Sequence, residues 1–166
     1  MTDTGWQHEV AVLWARFDDY TEDEFLAAME RLAAQRPADD PVALYEHGSA
    51  YDSIGREEPA VAKYRRALAA GLPGQLRRRA TIQLASSLRN LGQHEEAVDL
   101  LTAELARDSD DLDDAVRAFL ALALTSAGRE REAVSVALTG LAPHLTRYNR
   151  SLAAYAKALV EPGTAE

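Results

Sequence analysis

The sequence contains no cysteine, so it has neither a disulfide framework nor thiolate chemistry, and a reducing, cytoplasmic setting is the expectation. No apolar run approaches the roughly 18–20 residues that a bilayer-crossing helix needs. The opening Met1-Thr2-Asp3-Thr4-Gly5 is acidic and lacks the basic-then-apolar order of a signal peptide. No stretch alternates apolar and polar residues for long enough to read as a strand. Positive charge is scarce too: 18 Lys and Arg face 27 Asp and Glu, for a net charge of −9. Residues 1–40 are the extreme, with ten acids against Arg16, Arg31 and Arg36. An acidic chain without a basic stripe repels phosphate backbones and anionic lipid, so neither nucleic acid nor membrane is expected as a partner.

Catalytic patterns are also missing. His8, His47, His94 and His144 are scattered, with no HExxH or other metal-ligand spacing. There is no G-x-S-x-G, no phosphate-cradling glycine loop and no cysteine nucleophile. The run Asp108-Ser109-Asp110-Asp111 lacks the glycine and twelfth-position glutamate of a calcium loop and reads as a loop with a helix cap. The sequence therefore predicts no enzyme, no catalytic residue, no metal and no cofactor.

What the chain does have is repetition. Ile54-Gly55-Arg56-Glu57-Glu58-Pro59-Ala60 recurs as Leu91-Gly92-Gln93-His94-Glu95-Glu96-Ala97, and again as Ala127-Gly128-Arg129-Glu130-Arg131-Glu132-Ala133. The three glycines are 37 and 36 residues apart, a period that signals a repeat architecture. Glycine reaches the left-handed conformation that ends a helix. The acids that follow suit the positive end of the next helix dipole, and Pro59 suits a first turn. Each unit is thus a helical hairpin, expected at 41–71, 75–107 and 111–142.

A further hairpin precedes these. Trp6, Val10, Leu13, Trp14 and Phe17 share one helical stripe, and Thr21-Glu22-Asp23-Glu24 reads as a capping box opening a second helix. That helix carries Phe25, Leu26, Met29 and Leu32 and is closed by Pro37. A last helix is expected from Arg147 to Val160, with Tyr148, Leu152, Tyr155 and Leu159 as its apolar stripe, followed by a frayed tail over 161–166. The expected organisation is one continuous domain: an N-terminal hairpin over 1–40, three repeats over 41–146 and a capping helix over 147–160. The Ala-, Arg- and Leu-rich composition suggests a high-GC bacterial source.

These residues resemble the tetratricopeptide repeat family. In the first repeat Leu44, Gly48 and Tyr51, then Ala60, Tyr64 and Ala67, stand at the large, small and aromatic positions of the family's pattern. The second repeat keeps Leu84, Ala85, Leu88, Ala97 and Leu101 but departs at Thr81 and Glu104. The third keeps Leu120, Ala121, Leu124, Ala133 and Gly140 and departs at Arg117 and Ala137. The resemblance implies an all-α fold of about nine helices, a right-handed superhelical array of antiparallel hairpins, or α-solenoid. It also implies a protein-interaction module or small scaffold that binds a protein, peptide or helix in a concave groove.

Under that resemblance the first helix of each repeat lines the groove. The candidate contacts are Tyr45, Ser49, Asp52 and Ser53, then Arg79, Ile82, Ser86, Arg89 and Asn90, then Ala118, Leu122, Thr125 and Ser126. The family's carboxylate clamp is missing, because its positions hold Tyr45, Ser49, Ser86, Ala115 and Phe119. Two readings stand for Arg77-Arg78-Arg79 with Arg89 and Asn90. They are a docking patch for an acidic segment of a partner or for the acidic N-terminal hairpin itself, or they are solvated or pair with Asp52 and Glu46. Ile82 and Leu122 are either groove anchors or core. The Trp6/Trp14/Phe17 stripe is either core or, in the alternative function, the surface of a regulatory or self-associating accessory domain. Replacing Ala97 by leucine is expected to overpack its hairpin and cost about 1–3 kcal/mol, read from urea unfolding midpoints.

Overall fold

The computed structural model describes residues 3–161, so the tail expected over 161–166 lies, apart from Glu161, outside the described residues. Nine α-helices are present among them: α1 (Asp3–Ala15), α2 (Glu22–Ala33), α3 (Pro41–Ser53), α4 (Glu57–Ala69), α5 (Gly74–Asn90), α6 (His94–Leu105), α7 (Asp113–Ser126), α8 (Glu130–Leu141) and α9 (Asn149–Ala158). None is long and apolar enough to cross a membrane. Gly55, Gly92 and Gly128 have φ of 70°, 79° and 74°, the left-handed turn that lets one helix stop and the next begin within a few residues. The chain divides into two compact units, one running to Ser87 and the other from Leu88.

In the first unit α1 packs on α2, α2 on α3 and α3 on α4. Its core joins Trp6, Val10 and Leu13 of α1 to Phe25, Leu26 and Met29 of α2 and to Ala43 and Ala50 of α3. Phe25 is the hub of an aromatic cluster, 5.0 Å from the Trp14 ring and 4.7 Å, edge-on, from Phe17. Phe17 does not extend α1; it sits in a short 3-10 turn over Phe17–Asp19 and is half-buried. Trp6 is fully buried, so its indole N–H needs an acceptor, and it donates to the Leu32 carbonyl at 2.8 Å. The capping box at Thr21 and Glu24 forms as its spacing predicts. Asp40 caps α3 by accepting from the Ala43 N–H at 2.8 Å, and it is held in turn by Arg36 at 2.9 Å.

At Gly48 α3 and α4 lie close together. A Cβ there would lie 3.0 Å from the ring carbons of Tyr64 and 3.1 Å from Lys63 Cβ. Ala60, Tyr64 and Ala67 are all fully buried, the small-large-small face that the sequence pattern anticipates.

In the second unit α6 packs on α7, α7 on α8 and α8 on α9. Val98, Leu101, Val116, Leu120 and Leu124 are buried, as are Ala97, Ala133 and Ala156. Ser135 Oγ donates to the Ala156 carbonyl at 2.7 Å and ties α9 to α8. The departures from the repeat pattern are absorbed locally. Thr81 in the first unit and Glu104 in the second are both buried. Thr81 bonds the Arg77 carbonyl at 3.0 Å, and Arg107 lies 3.8 Å from the Glu104 carboxylate.

The last helix differs from expectation. It starts at Asn149, after Tyr148 takes a left-handed conformation with φ of 67°. Leu152 and Leu159 are half-buried and Ala156 is fully buried, whereas Tyr148 and Tyr155 are 76% and 69% exposed. The buried stripe therefore runs through Ala156, and the two tyrosines point to solvent.

Two glycines separate space from conformation. Gly48→Val forces atoms against a buried ring and is expected to destabilise by about 1–3 kcal/mol. At Gly140 the nearest neighbour of a Cβ is the flexible Arg117 side chain at 3.4 Å. Gly140→Ala is therefore expected to be neutral or to stabilise by up to about 1 kcal/mol. Urea unfolding of both variants checks the contrast.

Candidate functional site

The first unit contains a cleft of about 680 Å³ between α1, α3 and α5. Val42, Tyr45, Glu46, Ser49, Asp52 and Ser53 recur at helical spacing and so share one face of α3. That face forms the floor, while Gly48 on another side of the same helix faces α4. Gln7, Val10, Ala11 and Trp14 of α1 make one wall, and Leu76, Arg79 and Gln83 of α5 the other.

The floor carries two carboxylates. Asp52 is fixed on both oxygens: Ser87 Oγ donates to Oδ1 at 3.0 Å and the Tyr64 hydroxyl donates to Oδ2 at 3.2 Å. That hydroxyl also lies 3.3 Å from Ser49 Oγ. Burial raises the Asp52 pKa, and the two hydroxyl donors pull it part of the way back. Burial, then the neighbouring Asp52 charge, pushes the Tyr64 phenol upward, so it remains a donor. Glu46 is held differently. Its Oε2 accepts from the Trp14 indole N–H at 2.7 Å, a bond that spans the cleft from α1 to α3. Burial raises its pKa, opposed by the Trp14 bond and by Arg79. The Arg79 guanidinium lies over the Tyr45 ring, 5.7 Å from its centroid.

Five of the candidate contacts singled out from sequence, Tyr45, Ser49, Asp52, Ser53 and Arg79, meet in this cleft. Tyr45 and Ser49 are nonetheless buried, presenting only an edge. Ile82 is buried as well, Ser86 is half-buried and Asn90 is exposed. Arg89 is half-buried, with its Nε shielded and without a hydrogen-bond partner among the described residues, and its NH2 group donates to Asn90 at 2.9 Å. In the second unit Leu122 and Thr125 border a shallow depression between α7 and α8, shared with Val134 and several alanines.

The arginine triplet is not one patch. Successive helical residues point roughly 100° apart, and here Arg77 is half-buried, Arg78 is 2% exposed and only Arg79 is open. The tryptophan stripe is not an open surface either. Trp6, Val10 and Leu13 are buried, while Trp14 is half-buried and borders the cleft. Sequence reasoning missed α1 as a cleft wall, although the offsets Gln7, Ala11 and Trp14 mark a second face of that helix. Elsewhere in the unit, burial and the nearby Lys63 lower the His47 pKa, and its ring stacks on Tyr51 at 4.9 Å. Among the described residues no three His, Asp or Glu side chains converge as metal ligands.

A family model described as Tetratrico peptide repeat matches residues 41–159. The chain belongs to the tetratricopeptide repeat family. Solved structures agree on the fold. One is a set of nearly identical TPR-like repeats from a protein assigned as kinesin light chain in Podosopora anserina. It is 20% identical over 92% of this chain and 85% of its own, with a TM-score of 0.70. Another is a MamA RS-1 double mutant, 21% identical over 96% of this chain and 94% of its own, with a TM-score of 0.61. No curated protein matches the sequence. The fold is thus the all-α TPR solenoid, generally a scaffold for protein–protein interaction and typically not itself catalytic.

Burial of Glu46 in this TPR cleft has a measurable consequence. Its pKa is higher in the folded than in the unfolded chain, so the folded state takes up the proton first as pH falls. Stability contributed by this group therefore rises on acidification and is lowest where the carboxylate is fully ionised. Glu46→Gln keeps an oxygen for Trp14 and is expected to melt above wild type at neutral pH. The gap should close as pH approaches the ordinary glutamate value of 4.5. Circular-dichroism melts across that range check both the sign and the window.

Proposed function

We propose that the protein is an interaction module whose contact surface is the cleft between α1, α3 and α5, and that it takes a peptide or helix of a partner protein there. The observation that carries this reading is the composition of the cleft. Half-buried Trp14, Val42 and Leu76 stand beside polar Ser49, Ser53 and Gln83 and beside Glu46, Asp52 and Arg79. Such a mixture of apolar anchors with a few placed polar groups suits recognition. Tyr45, Ser49, Asp52 and Arg79 are the proposed contacts. The depression around Leu122 in the second unit is shallower and almost wholly apolar, with little to confer specificity.

Ala11 is exposed on the α1 wall and Ala62 is exposed on α4, outside the cleft. Both are surface positions, where substitution changes stability by about 0.5 kcal/mol or less. Ala11→Arg fills the cleft; Ala62→Arg is the control. Lysate pull-downs read by mass spectrometry are expected to show proteins retained by wild type and Ala62→Arg but lost by Ala11→Arg. Identical protein sets from all three baits would reject the cleft as the contact surface.

A further inference from the structure

Glu46 has one oxygen bound and one open. Oε2 accepts from Trp14; Oε1 has no hydrogen-bond partner among the described residues. The side chain is half-buried and no cation lies within ion-pair distance of it among the described residues. A half-buried carboxylate with no cation in direct contact is costly to ionise: burial raises its pKa, and the more distant Arg79 charge offsets only part of that. Asp52, by contrast, already has a hydroxyl donor on each oxygen. Arg79, the one cation on the cleft lining, is exposed and lies over Tyr45. The cleft therefore holds two carboxylates against one guanidinium, and the open acceptor belongs to Glu46.

We infer that the cleft recognises a partner segment that carries a basic side chain, a lysine or arginine, next to an aromatic or branched aliphatic residue. The basic head donates to Glu46 Oε1, and the apolar neighbour packs on Trp14, Val42 and Leu76. Charge complementarity selects this occupant over an acidic one. An acidic segment would bring a third carboxylate beside Glu46 and Asp52 and would find only Arg79 to receive it. Arginine on an aromatic face is already a recurrent contact in this unit, at Arg16 on Tyr20, Arg36 on Trp6 and Arg79 on Tyr45, and a partner's guanidinium can use the Trp14 face in the same way.

The inference rests on the cleft being the binding surface, and the experiment separates the two ideas. A phage-displayed library of random dodecapeptides is panned on wild type, Ala11→Arg and Glu46→Gln, each first shown to be folded by circular dichroism. The best wild-type peptide is then synthesised and titrated against all three proteins. Expected are wild-type peptides enriched in Lys or Arg beside an apolar residue, loss of that peptide with Ala11→Arg, and roughly ten- to hundredfold weaker binding to Glu46→Gln, the loss of a hydrogen bond to a charged group. Peptides lost with Ala11→Arg but bound equally by Glu46→Gln, or enriched in acids, would overturn the charge assignment while leaving the cleft intact. Peptides bound equally by Ala11→Arg, or no enrichment on wild type, would overturn the cleft reading and the inference with it.

Discussion

The cleft floor depends on the contact between Gly48 and the Tyr64 ring. Because position 48 has no Cβ, α3 can sit directly on the aromatic ring of α4, and close packing then leaves that ring little freedom. The fixed ring delivers its hydroxyl to the far side of α3, where it meets Ser49 and Asp52. Asp52 in turn receives Ser87 from α5. One missing side chain thus connects three helices and sets where two floor residues point. A larger residue at position 48 would displace the hydroxyl as well as the ring, so core packing and cleft geometry cannot vary independently here.

A second constraint acts in the opposite direction. Folding favours removing apolar surface from water, and α1 does so with Trp6, Val10 and Leu13. Trp14, one turn on from Val10, serves both purposes. Its ring packs 5.0 Å from Phe25, and its N–H reaches across to Glu46. That bond satisfies the indole yet draws a carboxylate into a half-buried site where ionisation is disfavoured. A glutamine would accept the same bond without the charge. A charge at position 46 thus works against the burial that surrounds it, and the contact proposed for Glu46 would account for its retention.

Most of the architecture was legible because the repeat writes it more than once. The turn glycines, the acids that follow them, the capping box at Thr21 and the small residues at Gly48, Ala60 and Ala67 are local signals. Each has a local physical cause, and their spacing supplied the hairpins. The cleft was only half legible. The α3 and α5 lining residues Tyr45, Ser49, Asp52 and Arg79 follow from the family's register, but the α1 wall does not. One helix there presents a core face through Trp6, Val10 and Leu13 and a cleft face through Gln7, Ala11 and Trp14. A single apolar stripe is what periodicity detects. The exposed Tyr148 and Tyr155 show the same limit from the other side: apolar spacing marked their stripe, while the inward side of α9 runs through Leu152, Ala156 and Leu159.

Charge was the least legible property, for a geometric reason. In sequence Arg77-Arg78-Arg79 is the densest positive run of an acidic chain and suggests an acidic partner. A helix spreads three consecutive side chains around most of its circumference, so a run of charge is divided among faces. Arg78 goes to the interior, Arg77 to a half-buried edge, and Arg79 alone reaches the cleft, where Tyr45 occupies it. Glu46 and Asp52 stand about 120° apart around α3, one on either side of Ser49, and the cleft is wide enough to take in both. The sign of a helical surface is therefore decided by residues three, four or seven apart and not by neighbours in sequence. The cleft is accordingly more acidic than the arginine run would suggest, and the acceptor left open on its floor calls for a cation.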